Sequence, residues 1–372
     1  MKLAFCIFKY FPFGGLQRDF IQAVSHAHAK GHDVDVYTMS WEGEKPSGIN
    51  IHIIPKKGIS NHTRALRFAQ VFEKIKHDVS YDCAIGFNKM PGIDIYFAGD
   101  RCFKDWMIEH HPRMARLLPR YRHYLSLENA VFKTNSKSQI ILINPKDKAT
   151  FQKYYGTADK RFSLIPPGIE PRLTSVTSPE KTRNEYRKQF AIPEDAFWIL
   201  FVNSNFKLKG ADRLIHAIAQ LPPQTQRKIH CTLIGDASPD EYIKLIKSLK
   251  ASHMISTLGP REDVGEFLVS ADLLAHPARQ EVGGKILIEA LSANLPVLVT
   301  ENCGYASVIK EAKSGLTVPS PFNQKIFNAM LNDILTADRL KEYRYNAAHF
   351  PNKEKFYCLA DNILNIIEAN KK

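Results

Sequence analysis

The chain has 372 residues, 44% hydrophobic and 24% charged, with a formal net charge of +13 at pH 7. That length suits two domains of ordinary globular composition, and no run approaches the ~20 apolar residues of a membrane-spanning helix. The positive charge calls for an anionic partner, and the absence of zinc-finger, RNA-recognition or helix-turn-helix signatures argues against nucleic acid and leaves anionic lipid or a phosphorylated substrate.

The N-terminus MKLAFCIFKYFPFGG lacks a small-residue cleavage site and is expected to be a first strand, not a signal peptide. Residues 2–8 are apolar, Gly14-Gly15 turns the chain, residues 16–30 have helical spacing, and residues 34–37 begin the next strand. This is a βαβ unit. Without a full G-x-G-x-x-G it does not indicate a dinucleotide cofactor, but two glycines at a strand-to-helix turn let a ligand approach the backbone. Asp19, one turn into that helix, is either a ligand contact or a complement to the helix dipole. Asp33-Val34-Asp35 resembles a metal-binding D-x-D but lies at the start of the second strand, and no metal site is read from it.

Further strand-like runs cover residues 51–54, 84–87 and 95–97. The last runs into Gly99-Asp100. A carboxylate just past a strand end is well placed to face the ligand crevice of an open α/β sheet, and Asp100 is a catalytic candidate; the alternative is a cap for the next helix. Residues 101–132 interleave Lys104, Arg113, Arg116, Arg120 and Arg122 with Trp106 and other large apolar side chains. On a helix, that mixture suits an anionic membrane surface. The six cysteines are scattered without a C-x-x-C pair, and a reduced cytoplasmic setting is expected.

Residues 164–169 read as a strand end and turn, followed by a Ser/Thr/Pro-rich stretch. This divides the chain into an N-terminal domain over 1–165, a second over 166–350, and a final helical segment over 351–372. Strands and helices alternate again in the second part: a strand over 198–202, a polar basic loop over 203–210 and a helix over 211–220. Two doubly wound α/β domains facing a central cleft are the expected architecture.

The stretch HPARQEVGGKILIEALSANLPVLVT, residues 276–300, reads as strand, glycine turn, helix, strand. Gly283 and Gly284 open the helix, so the backbone N–H groups around Gly283, Gly284, Lys285 and Ile286 and the positive end of the helix dipole face one spot, which suits a pyrophosphate. Glu281 precedes the helix and Glu289 lies within it, which places one carboxylate on each side of that spot. Ionised carboxylates only accept hydrogen bonds and so suit sugar hydroxyls. The pattern resembles the E-x7-E signature of retaining, nucleotide-sugar-dependent glycosyltransferases with the GT-B fold.

The stretches FKYFPFGGLQRDF, YTMSWEG, GFNKMPGIDIYFAGD and RYRHY, with IPPGI, the K-G-x-D-R segment and ARQEVGGKILIEAL, resemble the lipopolysaccharide core glucosyltransferase I family of Gram-negative bacteria over nearly the whole chain. The resemblance implies a GT-B enzyme of glycosyltransferase family 4. Such an enzyme moves glucose from UDP-glucose to an inner-core heptose with retention, without a metal or other cofactor, at the cytoplasmic face of the inner membrane. It implies that Lys209 and Arg261 lie at the donor nucleotide and phosphates, with Gly14 and Gly15 closing over the donor. Arg172 is shifted by one from a family arginine. Leu208 stands where the family has an arginine, which leaves Lys207 as the nearest second cation. It also implies that the basic segment contacts the membrane and that the last helix crosses back to the first domain. The rival readings are a nucleotide-sugar epimerase on the same scaffold and a non-catalytic scaffold that binds anionic membrane.

Overall fold

A computed structural model describes residues 1–12, 14–169, 176–235 and 239–370. The chain divides into two compact units, Met1–Gly168 with Cys358–Lys372, and Ile169–Tyr357.

The first unit is a seven-stranded parallel sheet built from β1 (Lys2–Cys6), β2 (Asp33–Thr38), β3 (Asn50–Ile53), β4 (Cys83–Gly86), β5 (Ile95–Ala98), β6 (Gln139–Leu142) and β7 (Phe162–Leu164), in the order β3-β2-β1-β4-β5-β6-β7. Its central strands are apolar throughout because helices cover both faces. Alternate residues of β1 feed separate cores: Ala4 and Cys6 pack with Phe68 and Phe132, and Leu3 and Phe5 pack with Phe20 and Phe97. The helix Leu359–Ala369 completes the second of these cores. Leu359, Ile363, Leu364 and Ile367 share one stripe at helical spacing and lie against the helix Gly15–Ala29.

The second unit is a six-stranded parallel sheet: β8 (Phe197–Val202), β9 (Ile229–Ile234), β10 (Ile255–Leu258), β11 (Leu273–His276), β12 (Val297–Thr300) and β13 (Gly315–Val318), in the order β10-β9-β8-β11-β12-β13. In each sheet the chain starts at the middle, winds to one edge, then returns and winds to the other. The switch points lie between β1 and β4 and between β8 and β11, and ligands of such sheets bind beyond the carboxyl ends of strands at that place.

Two local expectations are corrected. The segment 203–210 is not a plain loop: Phe206–Lys209 forms a short helix, capped by the Asn205 side chain on the Leu208 amide at 2.9 Å and driven by burial of Phe206. The basic stretch after β5 is not one helix. It is a helix Phe103–His110, a 3-10 turn Arg113–Leu117 and a helix Pro119–Phe132. Pro112 and Pro119 account for the breaks, since proline disfavours helical geometry in the residue before it and suits the first position of a new helix.

Candidate active site

In the second unit the two loops at the switch point, after β8 and after β11, are laced together. The Arg279 amide donates to the Leu208 carbonyl at 2.9 Å, the Arg279 guanidinium to the Lys207 carbonyl at 2.9 Å, and Lys209 Nζ to the Gln280 carbonyl at 3.1 Å. Gly210, at φ +76°, closes the first loop against the second, and a Cβ there would meet the Pro277 carbonyl oxygen at 2.2 Å. Arg279 is held in turn by both oxygens of Asp212, at 2.7 and 2.5 Å.

Glu281 sits where these loops meet. Its Oε2 lies 2.6 Å from Lys209 Nζ and 3.3 Å from Nε2 of His276, which is fully buried at the end of β11. Burial pushes the Glu281 carboxyl up, but the His276 hydrogen bond and the Lys209 charge outweigh it and hold the pKa below the usual range. For His276 burial opposes the charged form, yet its bonds to Cys303 and Glu281 raise the pKa to about 9. The ring also lies 3.3 Å from the side-chain amide of Asn203, at the end of the β8 strand. Glu281 is thus held between the Lys209 ammonium and the His276 ring.

The glycine turn follows at once. Gly283 has the Tyr305 ring 3.0 Å from where a Cβ would stand, and its carbonyl accepts from the Tyr305 amide at 3.0 Å. Gly284 is left-handed, at φ +94°, and forms the N-cap of the helix Lys285–Ser292. The helix starts at Lys285, and the Leu287 amide donates to the Gly284 carbonyl at 2.9 Å. Glu289 is buried on the same helix, 4% exposed, and not part of a solvated face. The structure therefore brings Lys209, Glu281, Gly283 and Gly284 into one cluster with Glu289 on the adjoining helix. Lys207 is exposed on the short helix. Arg261 pairs with Asp263 at 2.5 Å, and Asp263 also accepts from Tyr186 at 2.8 Å. Arg172 lies outside the described residues.

In the first unit, Gly14 is the N-cap of the helix Gly15–Ala29, and Gly15 has open space where a side chain would stand. Asp19 is buried, 3% exposed, on that helix. Gly99 lies against Leu16, with 2.4 Å between its notional Cβ and Leu16 Cδ1, so the exposed Asp100 is set beside the glycine turn. Asp100 does not cap the next helix. That helix is capped by Glu128, fully buried, which accepts from the Phe103 and Lys104 amides at 2.6 and 3.0 Å and pairs with Lys89 at 2.7 Å. Lys89 also donates to the Arg101 carbonyl at 2.6 Å. Burial alone would raise the Glu128 carboxyl, but Lys89 and the hydrogen bonds hold it below the usual range. This buried pair fixes the Asp100 loop from behind.

Lys104 lies over the Tyr154 and Tyr155 rings, at 5.5 and 5.1 Å, and Trp106 stacks on His110 and lies tilted against Phe103. Arg116 donates to the Ile108 and His111 carbonyls, each at 3.3 Å. Arg113 begins the 3-10 turn, and Arg120 and Arg122 are exposed on the following helix. Among the described residues no helix is long and apolar enough to cross a membrane, and no group of three or more His, Cys, Asp or Glu side chains is arranged to hold a metal.

His276, Asn203, Tyr305, Lys89 and Glu128 escaped the sequence reading. Only His276 carried a local signal, as a polar residue closing an apolar strand.

Two parallel-sheet units, each with a glycine turn beyond its carboxyl edge, define a GT-B glycosyltransferase, and family models agree: Glycosyltransferase Family 4 matches residues 13–173 and Glycosyl transferases group 1 matches residues 182–349. The lipopolysaccharide glucosyltransferase WaaG of Escherichia coli K12 is 39% identical over 99% of this chain and 98% of its own length. A crystal structure of WaaG, a glycosyltransferase involved in lipopolysaccharide biosynthesis, superposes with a TM-score of 0.91 at 38% identity over 98% of this chain and 99% of that one. The chain belongs to the glycosyltransferase family that includes WaaG. Anabaena HepE in complex with UDP and glucose shares the fold, with a TM-score of 0.74 at 18% identity over 99% of this chain and all of that one.

Proposed function

We propose that this glycosyltransferase moves glucose from UDP-glucose onto an inner-core heptose of lipopolysaccharide, with retention at the anomeric carbon. The observation that carries the reading is Glu281, held ionised between Lys209 and His276 at the mouth of a glycine turn, in a chain 39% identical to a lipopolysaccharide glucosyltransferase over 99% of its length. The donor is proposed because the site suits a sugar diphosphate and because a protein of the same fold binds UDP and glucose.

In this reading the diphosphate rests on the amides from Gly283 to Ile286, where the helix dipole and Lys209 balance its charge. Lys207, Arg261 and Arg172 are further candidates for nucleotide or phosphate contacts. Glu289 accepts from the ribose, and Glu281 from the hexose hydroxyls. In the first unit, Gly14, Gly15 and Asp19 are further candidates for donor contacts, and Asp100 is the candidate to orient or stabilise the reacting sugar. The bond from the anomeric carbon to the diphosphate oxygen breaks, and the acceptor hydroxyl oxygen bonds the same carbon on the same face. The hydroxyl proton leaves with the diphosphate. Fixed donors and a helix N-terminus stabilise the developing charge on the leaving group, and the reaction is proposed to need no metal. The membrane contact around Lys104–Arg122 is proposed to hold the enzyme at the cytoplasmic face of the inner membrane, where its acceptor is anchored.

The test is to incubate the protein with truncated lipopolysaccharide core and a panel of UDP-sugars, with and without EDTA, and to identify products by mass. One added hexose from UDP-glucose, insensitive to EDTA, is the expected result. Change in the donor sugar without an acceptor product would favour an epimerase.

A further inference from the structure

The 3-10 turn that carries the proposed membrane contact has a neighbour that is remote in sequence. Met114, Leu117 and Leu118 are 83, 75 and 54% exposed, and Ile59 is 101% exposed on another loop of the same unit. Isolated apolar side chains on a surface are ordinary, but grouped ones flanked by cations mark a contact. The two groups are joined. The helix Asn61–Asp78 packs against the helix Pro119–Phe132, with the His62 and His123 rings 5.0 Å apart and the Tyr124 ring 6.3 Å from His62. His62 is the second residue of one helix and His123 the fifth of the other, so residues 55–60 and 113–118 lead into adjacent helix ends.

The Ile59 loop is built and not loose. Ser60 and Thr63 form a reciprocal capping box, and Arg64 Nε donates to the Gly58 carbonyl at 2.8 Å. Gly58 sits at φ +135°, where a side chain would be strained. Ile59 is therefore held out into solvent by a fixed turn. Lys56 and Lys57 precede it, both exposed. Residues 45–72 contain no Asp or Glu, and neither do residues 110–127. Packing of the two helices thus merges two acid-free stretches into one cationic face with apolar tips.

We propose that the loop Lys56-Lys57-Gly58-Ile59 is a second element of the membrane-docking surface, inserting Ile59 into an anionic lipid bilayer beside Met114, Leu117 and Leu118 while Lys56 and Lys57 meet the headgroups. This rests on the membrane-contact reading of residues 104–122 given above. A second insertion point beside the first constrains orientation, which one amphipathic turn does not.

The test is co-sedimentation of the full-length protein with vesicles of phosphatidylethanolamine and phosphatidylglycerol, and with neutral phosphatidylcholine vesicles. The combined variant Lys56→Ser, Lys57→Ser, Ile59→Ser changes only exposed positions, and an unchanged thermal midpoint checks its fold. Partitioning to the anionic vesicles is expected to fall about tenfold or more, because each lysine near such a surface contributes strongly. Wild-type partitioning of that variant, with Arg120→Ser, Arg122→Ser weakened, overturns this inference and leaves the parent reading standing. Absence of anionic-vesicle binding by the unaltered chain overturns both. In an independent arm, Ile59→Trp is expected to shift its fluorescence to shorter wavelength on anionic vesicles, and no shift overturns insertion of this loop.

Discussion

Both units carry a glycine pair at a strand-to-helix turn, yet the two turns differ physically. At Gly283-Gly284 the backbone is committed: one glycine lies under the Tyr305 ring, the other is left-handed, and Glu281 beside them is clamped by Lys209 and His276. At Gly14-Gly15 the crowding is by side chains: a Cβ on Gly14 would run into the Gln17 side chain and the Phe11 ring. Gly14 is extended, at φ −85° and ψ 139°, and Gly15 has room for a side chain. Identical dipeptides thus mark a left-handed helix start in one place and an extended one in the other.

The largest effect expected from breaking this contrast is at Glu281. Glu281→Gln keeps the shape and removes the charge that meets Lys209, His276 and the donor hydroxyls. With charge-assisted hydrogen bonds contributing ~1.5–3 kcal/mol each, transfer is expected to fall roughly hundredfold. Steady-state kinetics with a matched unfolding midpoint measures it.

His276 sharpens the contrast through pH. Its folded pKa, raised to about 9, lies above the ordinary value of 6.5, so its contribution to stability is full below about pH 6.5 and is lost as pH rises through about 9. Between those limits the unfolding free energy from denaturant curves should decline by up to ~1.4 kcal/mol per pH unit, and His276→Gln should flatten that limb. Glu281, depressed, acts at the other end: its contribution is present above about 4.5 and fades as pH falls through the folded value.

Gly284→Ala tests the committed backbone. Forcing an alanine to the left-handed region costs ~1–2 kcal/mol, visible as a lower thermal midpoint and weaker UDP binding. Gly15→Ala is the mildest change. Its stability should stay within ~0.5 kcal/mol of the parent, while the KM for the donor rises if this turn closes over it.

Much of the second turn was legible beforehand because its signals are local. An apolar strand, two glycines and an amphipathic helix follow one another within 25 residues of chain from His276 to Thr300. What stayed hidden depends on contacts between distant residues. Glu128 caps the amides of Phe103 and Lys104 from the following helix, and nothing near Glu128 in sequence announces that. His276 read as the last residue of an apolar run, and its role appears only when Glu281 and Asn203 fold onto it from two loops. The basic segment misled for another reason. Its mix of cations and aromatics resembles one amphipathic helix, but the backbone preferences at Pro112 and Pro119 override the pattern. Leu208 looked like a lost cation on a loop, and it turned out to anchor that loop through its carbonyl, which accepts from the Arg279 amide.

The most direct test of the central claim compares single-turnover transfer from UDP-glucose to truncated lipopolysaccharide core by the unaltered protein and by Glu281→Gln, following product by mass. The account predicts one added hexose from the unaltered protein and roughly hundredfold slower formation from a folded variant. Equal rates from both would contradict it.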